Sequence, residues 1–190
     1  HIRPEAFAYE LGREVEGRGA FSVMPSTDAA LFALSQWREH LPKHIANKLP
    51  SQEAVLCAVQ RYELTQCAES LGIDCVPTEQ LTSHMATEDV IQVAKRIGFP
   101  LVLMPQSGVH LKKQESTEKS FHFKKPADLR KFWSTSEIGP MDAILQPMLS
   151  GASLGYGAVY DRGEPIAEVF QRRGREHEPA SQLACYSQTI

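Results

Sequence analysis

Apolar residues recur every three to four positions through the first half of the chain. In PEAFAYELGREVEG, Phe7, Leu11 and Val15 fall at steps of four, which predicts an amphipathic helix. Pro4 sits near its first turn and Gly17 past its end. AFSVMP reads as a short strand. Ser26, Thr27 and Asp28 then offer caps for a helix over AALFALSQWREHL, with Leu31, Leu34 and Leu41 on one face. NKLP reads as an extended link. Ser51 can cap a helix running through QEAVLCAVQRYELTQCAES to Gly72. IDCVPT is an extended segment, and Thr87 caps a helix that Gly98 ends.

The rhythm changes near Phe99. FPLVLMP is a short apolar run with the length of a buried strand, and KSFHFK alternates. KPADLRKFWSTS predicts a helix with Pro126 at its first position, and AILQPML predicts another strand. ASLGYGAVYDRGEPIAEVFQRR holds two apolar stretches around Asp161-Arg162-Gly163, a hairpin signal. The fold class is therefore mixed: α/β in the first part, then α+β with an antiparallel sheet.

Composition adds bounds rather than a function. The chain has 190 residues, enough for one domain or two small ones, and 42% of them are hydrophobic, as in globular proteins. With 20 basic and 23 acidic residues the net charge is -3, which gives no global reason to expect a nucleic-acid partner. No apolar run is long enough to span a bilayer, so no membrane partner is expected. The four cysteines form no CxxC pair. Cys57 and Cys67 lie in a helical pattern and read as small buried hydrophobes of a reducing, cytoplasmic compartment.

A strand that runs into a glycine and a basic cluster, as FPLVLMPQSGVHLKKQ does, is a common place to hold phosphates. With its neighbours this stretch carries a family resemblance. LPSQEAVLCAVQRYELTQCAESLGIDCVPT, IGFPLVLMP, SFHFKKPADLRKFW and ILQPMLSGASLGYGAVYDRGEPIAEVFQRRGRE occur in an order and spacing that resembles the ATP-grasp superfamily, in its carboxylate-amine ligase or carbamoyl-phosphate-synthetase-like branch. VMPSTDAALFALSQWREHL resembles the strand and helix that precede the grasp domain. The resemblance implies a partial pre-grasp α/β region with its linking helix over 1–78, a lid-like α+β subdomain over 79–142, and an incomplete grasp subdomain over 143–190.

The resemblance implies site residues as well. Arg61 stands where a phosphate-directed lysine is usual, and Met104 where a second lysine is usual. Methionine cannot neutralise a phosphate, although it packs well against a flat apolar surface. Gly108 belongs to the implied phosphate loop, with Lys112 and Lys113 as substitute cations. Leu145, Gln146 and Met148 belong to the implied hinge that hydrogen-bonds adenine, and Pro147 stands where Glu is common. Arg173 and Arg175 fall on the arginine-bearing strand and are the implied catalytic cations, on one face of that strand by simple alternation.

What the resemblance implies in chemistry is ATP-dependent ligation with Mg2+, on a small-molecule carboxylate and an amine, through an acyl phosphate. The chain closes in LACYSQTI before the segment in which the resemblance places the magnesium carboxylates, so ligation by these residues alone is not expected. A degenerate grasp-like domain used for binding or scaffolding is the alternative, and homo-oligomerisation is left open.

Overall fold

A computed structural model describes residues 3–107, 109, 120–135, 142–176 and 184–189. The chain divides into two compact units, His1–Met148 and Leu149–Ile190.

The first unit opens with helices. α1 spans Pro4–Arg18, and its end is set by Gly19 at φ 61°, not by Gly17. The amide of Gly19 returns to the helix carbonyls, a closure that needs the left-handed backbone glycine allows. AFSVMP forms no strand: these residues are irregular, and Phe21 and Met24 are exposed. A strand needs a partner edge, and none pairs with this segment among the described residues. α2 spans Asp28–Gln36, with the Thr27 hydroxyl accepting from the amide of Ala30 at 3.2 Å. A 3-10 turn over Arg38–His40 and the short α3, Lys43–Ala46, follow. Asn47 and Lys48 then form a turn, not the extended link that NKLP predicts. Ala8, Val15, Leu34, Leu41 and Ile45 make the core of this part.

The long helix from Ser51 to Gly72 is in fact two. Ser51 caps α4, Gln52–Val59, and α5 is Arg61–Ser70. Gln60 between them is extended (φ −98°, ψ 103°) and bridges Ser107. The amide of Arg61 donates to the Gln106 carbonyl at 2.8 Å instead of continuing the ladder of α4. A tertiary partner 45 residues away thus breaks a segment whose local propensity is helical.

A four-stranded antiparallel sheet completes the unit, in the order β1-β4-β2-β3. β1 is Glu79–Leu81, β2 Leu101–Pro105, β3 Phe121–Phe123 and β4 Ala143–Pro147. α6, Thr87–Ile97, and α7, Pro126–Thr135, pack on one of its faces. α6 has Ala86 at its cap with no side-chain bond, so Thr87 is its first residue and not its cap; Gly98, at φ 93°, ends it. Leu101 and Leu103 from β2, Ala143 and Leu145 from β4, and Leu81 from β1 meet Val90, Ile91, Ala94, Leu129 and Trp133 of the helices. Alternation in β2 explains the choice: residues two apart share a face, and 101, 103 and 105 are buried while 102 and 104 are half-buried. The indole of Trp133 donates to the Met85 carbonyl at 3.2 Å, so its one polar group is satisfied inside this core.

The second unit is a three-stranded antiparallel sheet in the order β5-β6-β7. β5, Leu154–Asp161, and β6, Glu164–Glu176, form the predicted hairpin, with positive φ at both Arg162 and Gly163. That backbone matches the strand twist, which is why Gly follows the turn's first residue. β7, Ala184–Thr189, was not legible from the sequence pattern.

Candidate functional site

Of the sequence-predicted residues, Arg61 and Met104 lie where β2 ends, while Gln146 and Met148 lie toward its start. Arg61, the first residue of α5, donates from Nη1 to the Pro105 carbonyl at 2.6 Å. Its backbone amide is held by Gln106, and Gln60 bridges Ser107, so the α5 N-terminus runs beside the residues that leave β2. The Gln106 amide in turn donates to the Asp142 carbonyl at 3.1 Å, and its side chain reaches Glu63 at 3.4 Å. The Asp142 carboxylate accepts from the Ser83 amide at 2.8 Å. Val109 is buried with Val55 and Val59 of α4.

Met104 immediately precedes Pro105 and lies on the sheet face opposite α6 and α7. Its register partner is Ile144, and Gln80 pairs with Ile144 from the other side, so the three share that face. One residue pair along, Val102 faces Gln146 and His122. The Gln146 side chain is engaged, donating to the Thr78 hydroxyl at 2.8 Å.

Leu145 is different. Its side chain is fully buried in the core on the α6 and α7 face, away from Met104. Its backbone lies within the sheet, between Glu79 of β1 and Leu103 of β2. Met148 is exposed, and its amide donates to the Pro100 carbonyl at 2.8 Å. Gly108, Lys112 and Lys113 lie outside the described residues.

Arg173 and Arg175 lie on β6 of the second unit, opposite Ser187 and Tyr186 of β7. The register shifts between them, with Gly174 as the extra residue. The simple two-residue alternation expected for this pair is therefore interrupted.

Sequence reasoning missed Pro105, Gln106 and Asp142 as parts of this junction. Their contribution is largely through backbone groups, which every residue type carries, so no local signal marks them. Cys57 and Cys67 also differ from expectation: Cys57 is half-buried and Cys67 exposed, so neither is a core residue.

No family model matches the chain, and no curated protein matches it. Solved structures do. The D-alanine-D-alanine ligase from Coxiella burnetii superposes with a TM-score of 0.55 at 20% identity, over 76% of this chain and 40% of that one. The L-amino acid ligase from Bacillus licheniformis superposes with a TM-score of 0.62 at 10% identity, over 94% and 39%. N5-carboxyaminoimidazole synthetase from Staphylococcus aureus superposes with a TM-score of 0.61 at 12% identity, over 95% and 42%.

The fold is that of the ATP-grasp ligases. At these identities the likeness concerns the fold, and the chain spans about 40% of the length of these ligases. The mixed α and β architecture expected from the sequence holds for the ATP-grasp fold.

Proposed function

We propose that the chain is the ATP-binding portion of an ATP-grasp ligase that joins a small-molecule carboxylate to an amine. The observation that carries this reading is Arg61, a cation fixed by the Pro105 carbonyl at the end of β2. A guanidinium at a strand end, beside the start of a loop, suits a polyphosphate, because its several donors serve more than one oxygen. Bound ATP would supply the phosphoryl group that turns a carboxylate into an acyl phosphate. Arg61 would bind and orient that phosphate chain, and Met104 would offer an apolar contact to a flat ring on the sheet face opposite α6 and α7. Arg173, Arg175, Lys112 and Lys113 are the further cations of this reading, Gly108 the loop glycine, and Leu145, Gln146 and Met148 the hinge residues. Among the described residues there is no group of three or more His, Cys, Asp or Glu side chains placed to hold a metal ion.

Met104 favours a second reading, a grasp-like domain that serves binding or scaffolding without nucleotide. Its half-buried thioether beside Ile144 gives the sheet no charge at that point. Calorimetric titration of ATP with Mg2+ into the purified chain separates the two. Saturable binding that weakens in Arg61→Ala supports the nucleotide reading. A folded chain that gives no saturable heat overturns it.

A further inference from the structure

Among the described residues, a cavity of about 210 Å3 lies between the N-terminal parts of α1 and α2 and is open to solvent. Pro4 and Phe7 of α1, Ala29, Ala30, Phe32 and Ala33 of α2, and Val109 line it. The three alanines leave room that larger side chains would fill, and Phe7 and Phe32 stay half-buried beside it. Every described side chain at its wall is apolar. A water held in such a space needs about two to four polar partners, and these side chains offer none. Val109 links the cavity to the junction at the end of β2: Ser107, two residues earlier, bridges Gln60, the neighbour of Arg61.

The size of the space selects its occupant. An engineered apolar cavity of about 150 Å3 takes benzene. A volume of about 210 Å3 therefore accepts one ring with a small substituent. A partner's helix, about 10–12 Å across with its side chains, does not enter. A charged group inside would lose its water and gain no partner, so charge is kept out as well.

We propose that this cavity is a binding site for the apolar part of a small molecule, a single aromatic ring or a branched alkyl group, with any polar part of that molecule left toward solvent. The occupant completes the burial of Phe7 and Phe32 and packs against Val109, on the segment that leaves β2. Removal of that apolar surface from water is the driving force. The site does not depend on nucleotide binding, and a failed ATP titration would leave it standing.

Benzene is the probe, added to the folded chain with its alanine and valine methyl groups labelled for NMR. Benzene should shift the methyls of Val109 and of Ala29, Ala30 and Ala33, and the shifts should saturate with a Kd of about 1 mM, within the range open to a six-atom ligand. Ala30→Leu places an isobutyl group in the space and should weaken binding by about tenfold or more, with a thermal melt confirming the fold. Ala29→Leu repeats the test from the adjacent position if the first variant does not fold. No saturable shift up to the solubility limit of benzene would overturn the proposal. So would shifts centred on the exposed Phe21 and Met24 instead of these methyls, or unchanged affinity in a folded filling variant.

Discussion

Arg61 and Pro105 are 44 residues apart in sequence, yet the guanidinium of one donates to the carbonyl of the other at 2.6 Å. That contact ties the first turn of α5 to the last residue of β2. It also explains why a continuous helical pattern breaks at Gln60: the chain leaves α4 to reach the residues that follow β2. Charge-assisted bonds of this kind contribute about 1.5–3 kcal/mol. Arg61→Ala is therefore expected to lower stability by about 1–2 kcal/mol, toward the low end because the site is only partly buried. Arg61→Lys should recover part of the ATP affinity through its charge but less of the stability, since an ammonium lacks the guanidinium's fork. Urea unfolding and calorimetry on the same two variants read these separately. Equal loss of both quantities in the two variants would mean that Arg61 acts on the fold alone.

Met104→Lys tests the sheet face opposite α6 and α7. A lysine at that half-buried position can lie along Ile144 with its ammonium in water, so the expected stability cost is under about 1 kcal/mol. If this face holds the phosphates, the added charge should tighten ATP binding by about tenfold, equivalent to about 1.4 kcal/mol. Unchanged affinity in a folded variant would count against a phosphate at this end of β2.

Much of the first unit was legible because its signals are local. Thr27 and Ser51 cap helices as hydroxyl residues before apolar periods should, and Gly98 ends a helix. The hairpin at Arg162-Gly163 followed from turn chemistry alone. What escaped depends on partners far away in sequence. AFSVMP has strand composition but no edge to join, and the break at Gln60 is set by Ser107 and Gln106. At the candidate site the charged and apolar positions, Arg61 and Met104, carried a signal through the resemblance. The Pro105 carbonyl and the Asp142 backbone did not, because any residue provides them.

Gly12 offers a test of the helical part that runs against helix propensity. It lies in α1, where alanine is ordinarily favoured over glycine by about 1 kcal/mol. Here the carbonyl of His40 approaches so closely that an added Cβ would sit 2.1 Å from its oxygen. The contact is with backbone, which cannot rotate away, so α1 or the 3-10 turn must shift. Gly12→Ala is expected to destabilise the chain by about 1–3 kcal/mol, the ordinary cost of overpacking. Gly17→Ala, which meets nothing within 4 Å, should instead be neutral or stabilising. Thermal melts of the pair check both signs.

Tyr156 makes a prediction in the second unit. Its hydroxyl donates to the Glu168 carboxylate at 2.5 Å and lies 2.8 Å from the Tyr160 hydroxyl. The bond to Glu168, and after it the bond to Tyr160, raise its pKa well above the ordinary tyrosine range. The protonated form is the one the folded sheet favours. The stabilisation is therefore fully present below the unfolded tyrosine pKa of about 10 and is lost as pH rises through the higher folded value. An ultraviolet titration of the native chain should show one of the five tyrosines ionising late. Tyr156→Phe should remove that late phase, and Glu168→Gln should bring it back toward the ordinary range, because the amide carries no negative charge to hold the phenol proton. A late phase that survives Tyr156→Phe would assign it to another tyrosine and break the link between Tyr156 and Glu168.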